Sequence, residues 1–131
     1  MKTYNKIINE IGSGSFGIMY SGIKDEEAIV FLLEKRSGEV IGAISRIGFS
    51  DIDLIYGVEG NNGYGLAHIE EQHPGFAILI PEIIKNGSPI YQSKDRVLFI
   101  HTLDNKKRIA VVRLDWNGEQ KHWVVTSFGD F

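Results

Sequence analysis

A small set of residues in this chain could transfer protons and hold a phosphate group. Two histidines, His68 and His73, lie close together, and a later segment adds Lys121, Thr126 and Ser127. An imidazole with its ordinary pKa of about 6.5 exchanges a proton at neutral pH. Cations and hydroxyls can hold phosphate oxygens. This combination is typical of metal-free RNA cleavage, in which one group accepts the 2′-hydroxyl proton and another protonates the leaving oxygen.

His68 lies on a predicted helix over residues 64–72. Leu66, Ile69 and His73 share one stripe of that helix at spacing i, i+3, i+7, which places His68 beside the edge of the core. From there it could face a cleft between the helix and a sheet. The alternative is a structural histidine tied to a backbone carbonyl, and the sequence leaves both interpretations open.

Other candidate residues lie on predicted strands. Arg113 ends an apolar run, and its partner could be a bidentate phosphate or the neighbouring Asp115. Strict alternation along residues 122–128 predicts that the side chains of Thr126 and Ser127 point to opposite faces of the sheet. Either hydroxyl could donate a hydrogen bond to a phosphate, or both could be ordinary strand residues. Tyr56, like His73, could hold a base by stacking.

The histidine spacing argues against a metal site. His68 and His73 are five positions apart, or about 140° around a helix, whereas the helical zinc motif H-E-x-x-H needs two histidines on one face. Asp51 and Asp53 could share a strand face, but two carboxylates alone bind a metal poorly. We therefore predict no metal ion and no other cofactor.

The composition indicates a single domain of 131 residues with net charge −3. The charge is uneven. Residues 1–84 hold 6 Lys/Arg and 12 Asp/Glu, whereas residues 85–131 hold 8 Lys/Arg and 5 Asp/Glu. A basic half could face a polyanion. The chain has no cysteine, no apolar run of about 20 residues that could cross a membrane, and no apolar signal-peptide stretch near Met1. We expect a cytoplasmic location, in a producing or a target cell.

Residues 1–23 are rich in Gly and Ser and are predicted to be a leader or linker. Residues 11–20 look like a protein-kinase glycine-rich loop, but the remaining kinase motifs are missing and the chain is too short for a kinase. Residues 24–131 form the predicted domain. Its predicted helices are 24–36, 64–72 and 77–85, and its predicted strands are 40–47, 52–56, 88–93, 97–102, 108–114 and 122–128. This order predicts an α+β fold, with N-terminal helices packed on an antiparallel sheet of four or more strands.

Four fragments together resemble one protein family. They are Ile52-Asp53-Leu54-Ile55-Tyr56-Gly57; Gly65-Leu66-Ala67-His68-Ile69 with His73-Pro74; Ile83-Ile84-Lys85-Asn86-Gly87; and Lys121-His122-Trp123-Val124-Val125-Thr126-Ser127-Phe128. Their order resembles the phage-associated branch of the barnase–EndoU–colicin–RelE-like nucleases, which are often appended to MuF-type phage head proteins or polyvalent proteins. The resemblance covers about residues 25–128.

The resemblance implies the α+β fold given above and metal-independent RNA cleavage by 2′-hydroxyl attack. It implies that His68 is the family's histidine. The family also has a lysine and a hydroxyl residue near the end of the domain, which the resemblance places at Lys121 and at Thr126 or Ser127. Arg113 matches the family's basic residue on the penultimate strand. Tyr56 stands where the family often has Trp.

We therefore hypothesise an endoribonuclease toxin whose substrate is RNA. An immunity protein is a possible partner, acidic if it covers the basic half. The alternatives are a catalytically inert module that binds RNA or a host protein on the same fold, and a nucleotide-dependent transferase toxin using the glycine-rich residues 57–65.

Overall fold

A mixed sheet of eight strands dominates residues 8–130, the part of the chain that the computed structural model describes. The strands are β1 (Asn9–Gly14), β2 (Gly17–Ser21), β3 (Glu39–Ile44), β4 (Ile52–Ile55), β5 (Ser88–Ser93), β6 (Arg96–Leu103), β7 (Lys106–Trp116) and β8 (Glu119–Gly129). Their order across the sheet is β1-β2-β3-β4-β8-β7-β6-β5. The α-helices within these residues are α1 (Asp25–Lys35), α2 (Gly65–Gln72) and α3 (Ile80–Asn86), and a 3₁₀ turn at Ala77–Leu79 precedes α3.

The predicted arrangement of N-terminal helices on an antiparallel sheet is wrong. The protein is mostly β, its helices are short, and its sheet is mixed because β2 pairs with β3, and β4 with β8, in parallel. Helix α1 forms the crossover between the parallel strands β2 and β3, which a tight hairpin could not connect. The helices are therefore inserted between strands and do not form an N-terminal layer.

The first described elements are strands, where the sequence predicted a Gly/Ser-rich loop. β1 and β2 form an antiparallel hairpin at one edge of the sheet, so the loop interpretation of residues 9–21 is wrong. Ladder hydrogen bonds use backbone groups, which glycine and serine also supply. Residues 1–7 of the predicted leader lie outside the described residues. The domain boundary at residue 24 stays a prediction.

Local signals predicted the other elements well. The predicted helices over 24–36 and 64–72 correspond to α1 and α2, and the late strands correspond to β5–β8. The turns Asp104-Asn105 and Asn117-Gly118 have positive φ at both central residues. That is the backbone geometry of type I′ hairpin turns, for which Asn-Gly is the strongest short signal.

The helices cover one face of the sheet. Leu32 of α1, Leu66 of α2 and Ile80 of α3 are fully buried in one cluster with Val112 and Val124 from the sheet. None of the described helices is long and apolar enough to cross a membrane.

The opposite face of strands β6, β7 and β8 is here called the open face. Directly opposed residues on neighbouring strands point to the same side of a sheet, so the register defines this face in three rows. From one end to the other the rows are Arg96, Arg113 and Trp123; Leu98, Val111 and Thr126; and Ile100, Ile109 and Phe128. Several of its apolar side chains are partly exposed, as expected for a surface that meets a ligand.

A bulge in β8 decides which hydroxyl reaches this face. Val111 pairs with Thr126 but Val112 pairs with Val124, so Val125 is an extra residue on β8. The strict alternation predicted for this strand is therefore wrong at Val125. Thr126 shares the open face, whereas Ser127 pairs with the core residue Ala110 and points to the helices.

Candidate active site

Two imidazoles lie side by side next to the open face. Helix α2 packs against β8. His68, in the middle of α2, is buried, with 8% of its surface exposed. Its ring centroid lies 5.5 Å from that of His73 at the end of the helix, with an angle of 71° between the ring planes. The His73 ring in turn lies 5.7 Å from the ring of Phe128 on the open face.

The His68 ring is held by a backbone carbonyl. Its Nδ1 lies 2.8 Å from the Gly60 oxygen, and because a carbonyl can only accept, Nδ1 carries the hydrogen. Nε2 is then the atom that can gain or lose a proton. The same contact is what a structural histidine would make, so both interpretations from the sequence agree with this bond.

The loop before α2 creates this carbonyl contact. Val58 and Tyr64 bridge across the loop, and Gly57 at its base has a φ of +77°. A Cβ atom on Gly57 would lie 2.0 Å from the Tyr64 carbonyl oxygen. Gly57, which the transferase hypothesis would assign to a nucleotide, is thus required by the loop's own backbone.

Gly57→Ala is expected to destabilise the protein clearly more than Gly48→Ala, the matched control. Gly48 has a similar φ of +90°, but nothing lies within 4 Å of a Cβ built there. Both variants carry the cost of a left-handed alanine, and Gly57→Ala adds the clash, so we expect a further loss of at least about 1 kcal/mol. Urea unfolding measures both, and equal losses would refute the role of the Tyr64 contact.

His73 is biased toward its neutral form. Burial lowers the pKa of His73 below its ordinary value of 6.5, and the nearby His68 lowers it further. A neutral imidazole at physiological pH can accept a proton. The two histidines therefore lie in different environments. Such a difference allows one member of a pair of titratable groups to act as the base and the other as the acid.

The lowered His73 pKa predicts a pH-dependent stability. The unfolded chain binds this proton more readily than the folded protein, so the contribution of His73 is present above pH 6.5 and is lost as the pH falls through the folded pKa. We expect the free energy of unfolding of the wild type to decline more steeply than that of His73→Gln from about pH 7.5 to about pH 5. Parallel curves in urea titrations would contradict this prediction.

Thr126 and Ser127 have different environments. The Thr126 Oγ1 is shielded from solvent and has no hydrogen-bond partner among the described residues, which is unusual for a buried hydroxyl. Ser127 is fully buried and donates from its Oγ to the Ile109 carbonyl oxygen at 2.8 Å. Of the two hydroxyls that the sequence left open, the structure places Thr126 at the open face and Ser127 in the interior.

Arg113 is paired with Asp115, the simpler of the two partners expected from the sequence. Its Nε lies 3.0 Å from Asp115 Oδ1, and its guanidinium carbon lies 5.4 Å from the centre of the Trp116 ring. Arg96 stands directly opposite on β6. Sequence reasoning missed Arg96, although counting back from the two-residue turn Asp104-Asn105 pairs it with Arg113.

Lys121 lies apart from the imidazoles, in an ionic cluster. Its Nζ is 2.7 Å from both Glu39 Oε1 and Asp53 Oδ2. Burial alone would lower the pKa of Lys121, but the hydrogen bonds and charges of Asp53 and Glu39 outweigh it and raise the pKa above its ordinary value. Burial raises the pKa of Glu39. The predicted phosphate-binding lysine is thus already neutralised by two carboxylates, which sequence reasoning did not connect with it.

Tyr56, predicted to hold a base, lies elsewhere. It lines a shallow depression with Arg36, Glu59 and Glu70, none of which belongs to the open face. His73, with His68 beside it, therefore lies at the Phe128 end of the open face, Thr126 lies in the middle row and Arg113 at the other end. Lys121, Ser127 and Tyr56 lie outside this face.

A partly exposed sheet face with two arginines, an unpartnered hydroxyl and an adjacent imidazole pair holds the kinds of groups that phosphodiester cleavage uses. The chain belongs to the phage-Barnase-EndoU-ColicinE5/D-RelE like nuclease1 family, whose model matches residues 43–131. The match confirms the family indicated by the four fragments and identifies a nuclease domain that contains His68 and the open face. No curated protein and no solved structure matches the chain.

Proposed function

We propose that this protein is a metal-independent endoribonuclease that cleaves RNA by attack of a 2′-hydroxyl on the adjacent phosphate. The observation that carries the proposal is the imidazole pair, 5.5 Å between centroids, whose His73 ring lies 5.7 Å from the Phe128 ring of the open face. Two adjacent imidazoles supply both proton transfers of this reaction without a metal. Membership of a nuclease family supports a phosphodiester substrate.

In the proposed mechanism, His73 is the general base and His68 the general acid. His73, held neutral by burial and by His68, accepts the 2′-hydroxyl proton. The 2′-oxygen forms a bond to phosphorus as the bond from phosphorus to the 5′-oxygen breaks. The mechanism requires His68 as the imidazolium, which gives its Nε2 proton to that oxygen and becomes neutral, while its Nδ1–H stays bonded to the Gly60 carbonyl. The products are a 2′,3′-cyclic phosphate and a 5′-hydroxyl.

The RNA backbone would be held by the open face. Arg113 uses its Nε for Asp115, which leaves its terminal nitrogens for phosphate oxygens. Its row lies at the opposite end of the open face from Phe128 and His73, so it would bind a flanking phosphate and not the cleaved one. Arg96 lies directly across from it and adds a second cation. Thr126 supplies a hydroxyl donor with no other partner among the described residues. Lys121 is assigned no phosphate contact, because its ammonium is already shared by two carboxylates.

In this proposal the nuclease acts as a toxin on cytoplasmic RNA. An immunity protein that blocks it would cover the open face and present carboxylates to Arg96 and Arg113. Co-purification of an acidic partner would follow from this arrangement.

The test is cleavage of total RNA and tRNA by the purified protein in EDTA, with analysis of the new ends. We expect cleavage that survives EDTA and leaves 2′,3′-cyclic phosphates, and we expect DNA of the same sequence to stay intact because it has no 2′-hydroxyl. Cleavage that stops in EDTA would refute the metal-independent mechanism. A folded protein that binds RNA but leaves it uncut would favour the inert binding module.

A further inference from the structure

The loop before α2 is tied to that helix at Gly60. Residues 59–63 form the tip of the loop. The Gly60 carbonyl oxygen accepts from His68 Nδ1 at 2.8 Å, and the Gly60 N–H donates to Glu71 Oε1 at 2.6 Å. Two side chains of one helix therefore hold both backbone groups of a single glycine.

The spacing of His68 and Glu71 on α2 makes this double contact possible. The two residues are three positions apart, so their side chains are neighbours on one side of the helix. His68 is buried and Glu71 is exposed. The pair therefore extends from the edge of the core to the surface, and Gly60 lies across from both members.

The Gly60 backbone depends on these contacts for its position. Gly60 has a φ of +106°, and nothing lies within 4 Å of a Cβ atom built there. Its carbonyl oxygen also accepts from the Gly63 N–H at 3.0 Å, but that bond stays within the loop tip. Asn61 and Asn62 beside it are exposed. Glu71 is thus the second attachment of the tip to α2, besides His68 itself.

Glu71 is a carboxylate near neutral pH. Hydrogen bonds from the Gln72 amide and from the Gly60 N–H lower the pKa of Glu71 below its ordinary value. Because the side chain is exposed, water and salt screen the direct effect of its charge on the imidazole. An influence of Glu71 on His68 must therefore pass mainly through the hydrogen bond to Gly60.

We propose that Glu71 is a positioning residue for His68, which it orients through the backbone of Gly60; this inference rests on the proposed function. In that mechanism the Nε2 proton of His68 must point at the leaving oxygen. The ring presents Nε2 there while its Nδ1–H is bonded to the Gly60 carbonyl. By holding the N–H of the same residue, Glu71 keeps this carbonyl in place.

The first readout is the tautomer of neutral His68, measured without RNA by long-range ¹H–¹⁵N NMR at about pH 9, where imidazoles are neutral. We expect the wild type to carry its hydrogen on Nδ1, as the Gly60 contact requires, and Glu71→Ala to populate both tautomers. Glu71→Gln should restore the wild-type tautomer, because an amide oxygen also accepts from an N–H. Glu70→Ala is the matched control, since it deletes the same charge at the exposed neighbouring position and should leave the tautomer unchanged.

Cleavage of a short RNA is the second readout. Glu71→Ala should lower kcat by about tenfold to 10²-fold with little change in KM, because a misoriented imidazole impairs proton transfer and leaves RNA binding intact. Glu71→Gln should recover most of the rate, and Glu70→Ala should keep it. This rescue distinguishes an orienting hydrogen bond from an effect of charge.

Three results would overturn the inference. They are a wild-type His68 that carries its hydrogen on Nε2, an Nδ1–H tautomer that persists in Glu71→Ala, and a Glu71→Gln variant that behaves like Glu71→Ala. The tautomer is measured without RNA. A folded wild type that cuts no RNA would therefore refute the proposed function, while the NMR result would still decide whether Glu71 orients His68.

Discussion

Replacing His68 by alanine is expected to slow RNA cleavage by about 10²- to 10⁴-fold while the protein stays folded. The variant removes the Nε2 proton that the mechanism delivers to the leaving oxygen. His68 lies on a helix whose apolar residues Leu66 and Ile69 remain in the core, so α2 should persist. Single-turnover cleavage of a short RNA measures the rate, and circular dichroism checks the fold.

His68→Asn is the control that separates catalysis from structure. An asparagine amide can replace the Nδ1–H that bonds the Gly60 carbonyl, but it cannot transfer a proton. If His68 were a structural residue, Asn would restore cleavage that Ala loses. We expect both variants to be equally inactive, and His73→Ala to remove the acidic limb of the pH–rate profile.

Asp53→Ala is expected to lower the free energy of unfolding by about 3–5 kcal/mol, the range for breaking a buried ion pair. The carboxylate accepts the Gly42 N–H of β3 and the Lys121 ammonium of β8 from its own position on β4. Its loss leaves the partly buried Gly42 amide without its acceptor and Lys121 with Glu39 alone. Urea unfolding followed by tryptophan fluorescence measures the change.

Asp51→Ala is the matched control for this prediction. Asp51 lies two residues earlier, is exposed, and accepts a hydrogen bond from Ser45. We expect its loss to change stability by no more than about 0.5 kcal/mol. Similar losses in both variants would show that the ionic cluster does not stabilise the junction of β3, β4 and β8.

This junction explains why a charged cluster is buried in so small a protein. β4 pairs with β8 through the register of Asp53 with Trp123, and β4 has four residues. A lysine shared by carboxylates on β3 and β4 fixes the position of β8 beside them. Glu39 and Asp53 thus position Lys121.

Local chemistry determined much of what the sequence predicted. Helix α1 follows from its acidic first turn and apolar stripe, and the hairpin after β7 follows from Asn117-Gly118. These signals act within a few residues, so they need no knowledge of distant neighbours. The four fragments identified the nuclease family for the same reason, because each is a short local motif.

Tertiary structure alone decided the remainder. Residues 9–21 became strands because an existing sheet offered backbone partners, and the bulge at Val125 reversed the faces of Thr126 and Ser127 because β8 had to keep register with β7. Lys121 meets Asp53 and Glu39 across 68 and 82 residues of chain. Contacts over such separations depend on strand order, which no local spacing encodes. The sequence therefore indicated the family and a set of candidate residues, and the sheet decided which of those candidates share a surface.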